Sequence, residues 1–287
     1  MIEGRPTILA PQVAMIGVFD SGVGGLSVLT EMRRLLPGMD VTYLADQANA
    51  PYGTRSLQEV RRLSEACTAH LLERGIDLIV VACNTASAAA LHHLRSIHPA
   101  VRFVGMEPAV KPAVALTRSK VIGVLATPAT FRGELFASVV GRFTGGVTVI
   151  NQECPGWADL VEMGVVAGPR AEAAIAKHLD PVLAAGADTL VLGCTHYPFL
   201  RHLISERAGG HVAIVDPARS VARQVAAVAG NQDRSGNGRT RMLTTGGAAE
   251  AERIMSQLTG IDQPVTAVTL EKSEQRHPDE ARTDGTG

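Results

Sequence analysis

Aromatic side chains are scarce in this chain of 287 residues, at 3% of the composition. Proteins that bind single-stranded nucleic acid stack the bases on aromatic rings, and this chain has few rings to offer. Basic and acidic residues nearly balance, with a net charge of −1, so the sequence also lacks the basic surface that attracts DNA or an anionic membrane. We therefore predict neither a nucleic-acid partner nor a membrane partner.

Long apolar runs are absent too. No stretch reaches the roughly 18 apolar residues of a membrane-spanning helix. The first residues also lack the charged region and apolar core that a secretion signal has. These absences predict a cytoplasmic protein.

Cysteine is sparse as well. Four cysteines are too few for a disulfide scaffold in a chain of this length. None of them forms a Cys-x-x-Cys pair, and a single nearby histidine is too small a ligand set for zinc, so we expect no metal. Any function of these cysteines must come from their thiols.

What the chain does contain is one short stretch that occurs twice. Val80-Val81-Ala82-Cys83-Asn84-Thr85 recurs as Val191-Leu192-Gly193-Cys194-Thr195-His196. Two further segments repeat in the same order, since 121–127 echoes the apolar run 15–19 and 147–150 echoes 41–44. Three repeated segments in one order predict a duplicated α/β unit.

Apolar runs alternate with helical patterns along the chain. We predict a strand in the aliphatic run before Cys194 and further strands at 15–19, 41–44, 76–81, 101–104, 121–127, 147–150, 212–215, 242–244 and 265–270. We predict helices at 26–36, 57–71, 85–97, 220–228 and 248–258. The alternation predicts an α/β fold with two pseudo-symmetric lobes, each a mostly parallel sheet flanked by helices.

The last predicted strands have no counterpart in the first half of the chain. We expect them to return to the first sheet, which gives a discontinuous first lobe of 14–106 plus 216–270 and a second lobe of 107–215. Residues 1–13 and 271–287 are expected to be disordered tails.

Polar and nucleophilic residues follow the predicted strands. Ligands of parallel sheets bind at the carboxyl ends of the strands, so we expect these residues to share one cleft between the lobes. They are Asp20, Ser21, Asp46, Tyr52, Gly53, Cys83 and Cys194.

The paired cysteines are the strongest candidates for chemistry. Cys83 and Cys194 both stand where a strand passes into a helix, and the amides of a helix N-terminus lower a thiol pKa from about 8.5. His196, two residues after Cys194, can supply a proton. Cys67, within an amphipathic helix pattern, is expected only to pack.

The turn Asp20-Ser21-Gly22-Val23-Gly24-Gly25 matches neither the Walker pattern nor the dinucleotide pattern. We expect its glycines to bring the backbone, and its amides, close to an anion such as a carboxylate. Asp20 then favours a ligand that also carries an ammonium, although helix capping explains it equally well. Capping also explains Asn84, Thr85 and Thr195, and Glu162 alone is typical of a solvated surface charge.

Four motifs together resemble the aspartate/glutamate racemase family, and within it the glutamate racemases, over about residues 14 to 270. They are Asp20-Ser21-Gly22-Val23-Gly24-Gly25-Leu26, Pro51-Tyr52-Gly53, Ala82-Cys83-Asn84-Thr85-Ala86 and Gly193-Cys194-Thr195-His196-Tyr197-Pro198. The resemblance implies a cofactor-independent interconversion of L- and D-glutamate by a two-base mechanism, which supplies D-glutamate for peptidoglycan synthesis.

The resemblance also implies a role for each matching residue. Cys83 and Cys194 are the acid–base pair, Asp20 and His196 assist them, and Asp46 and Glu162 support the site. The implied substrate-binding residues are Asp20, Ser21, Tyr52, Gly53, Asn84, Thr85, Thr195 and His196. A homodimer is also implied and, for some relatives, an interaction with gyrase. The alternative from related enzymes is a racemase or decarboxylase acting on aspartate, a hydantoin or an arylmalonate-like acid.

Overall fold

A computed structural model describes residues 15–230 and 236–271 of the chain. The predicted tails at 1–13 and 271–287 lie outside the described residues, except for Glu271. The strands are β1 (Met15–Asp20), β2 (Asp40–Ala45), β3 (Leu78–Val81), β4 (Arg102–Gly105), β5 (Val121–Ala126), β6 (Thr148–Glu153), β7 (Thr189–Gly193), β8 (Ala213–Val215), β9 (Thr240–Thr244) and β10 (Val265–Ala267).

The helices are α1 (Leu26–Leu35), α2 (Leu57–Leu72), α3 (Asn84–Ile97), α4 (Val110–Leu116), α5 (Pro128–Arg132), α6 (Glu134–Phe143), α7 (Trp157–Glu162), α8 (Pro169–Ala184), α9 (Arg201–Ala208), α10 (Ala218–Ala229) and α11 (Ala248–Thr259). Short 3₁₀ turns cover Gln47–Asn49, Tyr52–Thr54 and Tyr197–Leu200. Within the described ranges, no helix has the length and apolar content needed to cross a bilayer.

Two parallel sheets carry the site. The first has the strand order β10-β9-β2-β1-β3-β4, and the second has the order β6-β5-β7-β8. β1 lies between β2 and β3 just as β5 lies between β6 and β7, so the α/β prediction of two parallel sheets flanked by helices is confirmed. We call the part built on the first sheet the first lobe and the part built on the second sheet the second lobe.

The strands after the second sheet return to the first sheet. β9 pairs with β2, and β10 pairs with β9. This pairing supports a discontinuous first lobe, while the boundaries 14–106 plus 216–270 and 107–215 stay a prediction.

Local sequence explains most of the elements near the site. β1 and β3 are almost wholly apolar because helices cover both faces of a parallel sheet. α2 begins after Ser56, whose hydroxyl accepts a hydrogen bond from the amide of Glu59 at 3.2 Å. The prediction that Asn84 and Thr85 cap a helix is wrong, because both lie inside α3 and the N-cap residue is Cys83.

Several predicted boundaries differ from the structure. β6 continues to Glu153 through polar residues because β5 goes on pairing with it. The last predicted strand ends at Ala267 rather than residue 270, since its pairing with β9 stops there. In the second lobe, α4 to α9 were not predicted from the sequence.

One apolar core extends across both lobes. It contains Tyr43 of β2 and Leu192 of β7, together with Trp157 of α7. The rings of Trp157 and Tyr197 meet edge to face, with centroids 5.0 Å apart. This shared core holds the carboxyl ends of the two sheets against one another.

Candidate active site between the two lobes

The two paired thiols occupy equivalent places in the two sheets. Cys83 directly follows β3, and Cys194 directly follows β7. Both are buried, at 4% and 8% exposed. They are close enough that a charge on Cys194 contributes to raising the pKa of Cys83. The structure therefore brings both to the carboxyl ends of strands that flank the central strands β1 and β5.

Asp20 lies beside the first thiol. Its carboxylate accepts hydrogen bonds from the backbone amides of Ser21, at 2.7 Å, and Gly25, at 2.5 Å. A third bond comes from the second lobe, where the Thr195 hydroxyl donates at 3.2 Å. Burial raises the pKa of Asp20 and outweighs the lowering by the nearby His196.

Cys83 is held as a thiol. Burial is the largest cause that raises its pKa, and the charge of Asp20 adds to it. The amide of Ala86 at the start of α3 points at the sulfur from 3.4 Å and acts in the opposite direction. For Cys83, the expectation that helix amides would lower the thiol pKa is therefore wrong in its net direction.

Cys194 has a different partner. Its sulfur lies 3.5 Å from Nδ1 of His196, whose Nε2 lies 2.6 Å from Oε1 of Glu162. Burial alone would lower the pKa of His196, but the bonds and charges of Cys194 and Glu162 raise it well above 6.5. The imidazole is therefore protonated beside this sulfur.

Glu162 is not a solvated surface charge, because only 14% of its side chain is exposed. Burial raises the pKa of its carboxyl, but hydrogen bonds from His196, the amide of Val23 and Gln47 outweigh burial and lower it. The carboxylate is therefore ionised in the seam between the lobes.

The glycine turn after β1 receives protein groups rather than an external anion. The amide of Val23 donates to Glu162 at 2.7 Å, and those of Ser21 and Gly25 donate to Asp20. For the amides of Ser21, Val23 and Gly25, the expectation that they face a ligand anion is wrong, because carboxylates of the chain itself accept their hydrogen bonds.

The glycines of this turn let the second lobe approach. A Cβ on Gly22 would overlap the carboxylate of Glu162, and a Cβ on Gly24 would overlap the imidazole of His196. Gly24 would also lie 2.7 Å from the hydroxyl of Thr195. The turn is therefore a docking surface for the residues around Cys194.

Asp46 and Tyr52 form a buried cluster behind the seam. The Tyr52 hydroxyl donates to Asp46 at 2.5 Å, and Asp46 also accepts from Asn49 and from the Thr245 hydroxyl, at 2.7 Å. These bonds tie the loop after β2 to the end of β9. A Cβ on Gly53 would lie 2.6 Å from Cβ of Thr127, so this loop also touches the second lobe.

Thr85 belongs to a triangle of buried hydroxyls whose other two members, Thr127 and Thr130, were missed in the sequence. Thr85 lies 2.9 Å from Thr127 and 3.2 Å from Thr130, and these two lie 3.0 Å from each other. The internal repeat could have identified Thr127, because the offset between Ile16 and Ile122 also aligns Ser21 with Thr127.

Asn84 carries an amide that the protein leaves free. The residue is 3% exposed, yet neither Oδ1 nor Nδ2 has a hydrogen-bond partner among the described residues. A buried amide of this kind needs a partner, and a bound ligand can provide one. Within residues 15–230 and 236–271, no three His, Cys, Asp or Glu side chains are grouped to hold a metal ion.

Comparisons with known sequences and structures identify the family of this chain. The model of the Asp/Glu/Hydantoin racemase family matches residues 16–225. A glutamate racemase of Roseiflexus sp. is 48% identical over 255 residues, which are 88% of this chain and 94% of the relative.

Two solved structures share the fold. That of a glutamate racemase isoform from Bacillus anthracis has a TM-score of 0.82 at 30% identity, covering 91% of this chain and 99% of its own. That of the glutamate racemase from Francisella tularensis, in complex with D-glutamate, has a TM-score of 0.79 at 26% identity, with 91% and 99% covered. The chain therefore belongs to the Asp/Glu/Hydantoin racemase family and is an isomerase.

Proposed function

We propose that this enzyme interconverts L-glutamate and D-glutamate by a two-base mechanism in which Cys83 and Cys194 act on opposite faces of the α-carbon. The observation that carries the proposal is the pairing of each thiol with its own acid–base group. Asp20 lies beside Cys83, and His196 lies beside Cys194. The D-glutamate produced would serve peptidoglycan synthesis.

The reaction needs one thiolate and one thiol. The thiolate takes the α-proton from one face, and the thiol on the other side gives its proton to the opposite face, so the two sulfurs exchange protonation states. Burial and the charge of Asp20 keep Cys83 protonated, and a protonated His196 lies beside the sulfur of Cys194. Cys83 is thus the proton donor of the resting enzyme, which leaves the deprotonation of the substrate to Cys194.

Substrate binding has candidate groups in the same seam. The free amide of Asn84 and the hydroxyls around Thr85 can bond the carboxylates of glutamate, and the Asp20 carboxylate suits its ammonium. Donors to the α-carboxylate stabilise the negative charge that develops when the α-proton leaves. Burial excludes water and strengthens these bonds. The D-glutamate complex of the Francisella relative supports glutamate as the substrate.

Solvent isotope uptake tests the proposal. In D₂O, either enantiomer of glutamate should gain deuterium at the α-carbon while it racemises. Cys83→Ser and Cys194→Ser should each lower kcat at least about 100-fold, because each removes one of two proton-transfer groups. Cys67→Ala is the matched control, since this buried cysteine lies in α2, and it should stay close to wild type. Full activity of either serine variant would overturn the two-thiol mechanism.

The alternative is the same proton chemistry on a related acid. The family description itself includes aspartate and hydantoin. Comparing kcat/KM for glutamate, aspartate, a hydantoin and an arylmalonate separates these cases. Preference for any of the last three would replace glutamate in the proposal.

A further inference from the structure

Gln47, in the 3₁₀ turn after β2, connects the two lobes through both ends of its amide. Its Nε2 donates to Oε2 of Glu162 at 3.2 Å, and its Oε1 accepts from the Thr244 hydroxyl at 2.8 Å. A carboxylate only accepts hydrogen bonds, so the amino end of the amide must face Glu162. The Thr244 hydroxyl accepts from the amide of Gly246 at 3.0 Å, which turns its proton towards Gln47. The direction of every bond is therefore fixed.

The same chain of bonds continues to one thiol. Glu162 uses its other oxygen to bond His196 at 2.6 Å, and His196 reaches the sulfur of Cys194 at 3.5 Å. The network thus extends from the end of β9 in the first lobe to the thiol after β7 in the second lobe. Thr244, at the far end of this network, is fully buried, so the network begins at an immobilised side chain.

The other thiol has no comparable support from Gln47. Asp20, beside Cys83, takes its hydrogen bonds from Ser21, Gly25 and Thr195. β9 belongs to the segment that returns to the first sheet, and the repeat contains no equivalent of it in the second sheet. The duplicated unit contains one thiol in each sheet. The strand β9, which only the first sheet has, contributes to the network at Cys194 and not to the surroundings of Cys83.

We propose that Gln47 is a positioning residue that fixes Glu162, and through it His196, for proton transfer at Cys194 but not at Cys83. The inference rests on the proposed two-thiol function. Without Gln47, Oε2 of Glu162 loses a charge-assisted hydrogen bond, and the carboxylate is held only at Oε1, by the amide of Val23 and by His196. Its orientation towards the imidazole is then no longer fixed at both oxygens. Gln47 and Glu162 lie in different lobes, so the hydrogen bond between them depends on the contact between the lobes.

Kinetic isotope effects test this difference between the thiols. Because L- and D-glutamate are equally stable, kcat/KM must remain equal in the two directions for any variant, so rates alone cannot show which thiol is affected. The variant Gln47→Met keeps the length of the side chain and removes both hydrogen bonds. We expect kcat/KM to fall about ten-fold in both directions.

The substrate isotope effects should then move in opposite directions. With α-deuterated glutamate, the effect on kcat/KM should rise for the enantiomer that loses its deuteron to Cys194, because that step becomes slower. It should fall for the enantiomer deprotonated by Cys83, because reprotonation from Cys194 then limits the rate. A loss of packing or stability would not divide the two enantiomers in this way.

Thr245→Val is the matched control. Its hydroxyl accepts from the amide of Ala48 at 3.0 Å and donates to Asp46, so it holds the same loop without touching Glu162. Its two isotope effects should change together. The same result for Gln47→Met would overturn the inference.

A second variant guards against a folding defect. Thr244→Val removes the hydroxyl that holds Oε1 of Gln47 and should give the same opposed isotope effects on a smaller scale. Parallel changes in this variant count against the inference as well. Failure of the proposed function looks different, because the wild-type enzyme would then incorporate no solvent deuterium into either enantiomer.

Discussion

The hydroxyl of Thr195 donates a 3.2 Å hydrogen bond to the carboxylate of Asp20. Thr195 follows Cys194 in the second lobe, and Asp20 ends β1 beside Cys83 in the first, so one bond connects the surroundings of both thiols. Both thiols are more than nine-tenths buried. The bond therefore joins the two lobes beside two buried sulfurs.

The two thiols are equivalent in the fold but not in their chemistry. A buried carboxyl raises the pKa of Cys83 together with burial, whereas a protonated imidazole lies beside Cys194. Racemisation runs in both directions, so the two-thiol mechanism that we propose requires each thiol to serve as acid and as base. In this mechanism, different partners meet the requirement by exchanging a proton each with its own sulfur.

Replacing Asp20 should separate the two thiols in a titration. The Asp20→Asn variant removes the charge that, after burial, contributes most to raising the pKa of Cys83, so this pKa should fall. We expect Cys83 to be alkylated at lower pH than in the wild type, and kcat to fall roughly 100-fold because the thiol loses its proton partner. Iodoacetamide labelling followed by mass spectrometry of the Cys83 peptide measures the shift.

Asp180→Asn is the control for this titration, because Asp180 pairs with Arg207 on the surface. Its alkylation profile should match that of the wild type. An unchanged or higher midpoint for Cys83 in Asp20→Asn would contradict the interpretation of this carboxyl.

Much of the fold could be predicted from the sequence because it rests on local patterns. The aliphatic composition of β1, β3 and β5 is enough to predict that these strands are buried. The repeated segments around Cys83 and Cys194 indicated the two sheets. The helices α4 to α9 were harder to predict. α4 is short, and α8 carries Pro181 in its interior, so helical periodicity is a weak signal there.

The site was predictable only where it lies next to a strand end. Glu162 is 34 residues from His196 in the chain, and a local sequence pattern does not predict a hydrogen bond between residues so far apart. The glycines of the turn after β1 were recognised as a close approach, but sequence alone could not say that Glu162 and His196 are what approaches. Gln47 gave no signal, because its two partners lie in different lobes.

Removing the charge of Glu162 should shift the pH dependence of the reaction. Glu162→Gln keeps a hydrogen-bond acceptor but no longer helps Cys194 to raise the pKa of His196, which burial then lowers. The imidazolium would lose its proton at lower pH, so the alkaline limb of the kcat/KM profile should move to lower pH. Initial rates across neutral and alkaline pH measure this shift.

The chain offers a matched control for that experiment. Glu65 contacts His93 at the same 2.6 Å distance, but this pair joins α2 and α3 and is partly exposed. Glu65→Gln should leave the pH profile in place. A profile that is identical in Glu162→Gln would show that the carboxylate does not govern the protonation of His196.

A single methyl group on the glycine turn should disable the second thiol. The Cβ of Gly22→Ala would overlap the carboxylate of Glu162 and push it away from His196 and from the amide of Val23. We expect activity to fall about 100-fold, because misplacement of a reacting group by about 1 Å has that effect. The free energy of unfolding should fall by only about 1 to 3 kcal/mol.

Gly141→Ala is the comparison for Gly22→Ala. Gly141 lies in α6 with open space around its Cα, so alanine should stabilise the helix by roughly 0.5 to 1 kcal/mol and leave turnover unchanged. Urea unfolding and steady-state rates measure both variants. Near-normal activity of Gly22→Ala would mean that Glu162 need not contact this turn.

The pair of Glu162 and His196 should also shape stability against pH. A carboxyl with a lowered pKa stabilises the fold above its unfolded value of 4.5 and stops doing so as the pH falls through its folded pKa. An imidazole with a raised pKa stabilises the fold below its unfolded value of 6.5 and stops doing so as the pH rises through its folded pKa. The pair therefore stabilises the fold fully between these two values.

The difference in unfolding free energy between wild type and Glu162→Gln should follow this window. We expect about 2 kcal/mol on the plateau and a smaller difference on either side. Urea titrations at a series of pH values measure it. A difference that does not vary with pH would show that the effect of the substitution is packing rather than charge.

The hydroxyl triangle around Thr85 should affect substrate affinity more than chemistry. Thr127→Val keeps the shape of the side chain and removes its bonds to Thr85 and Thr130, so a substrate carboxylate loses one donor and the order of the other two. Donors that hold a carboxylate equally in the ground state and the transition state act on KM, which should rise about ten-fold while kcat changes little. Thr144→Val removes a hydroxyl that donates to the carbonyl of Val140 at the end of α6 and should leave KM unchanged. If KM stayed at its wild-type value in Thr127→Val while kcat fell, the triangle would act on the reacting centre rather than on a carboxylate that remains bound throughout.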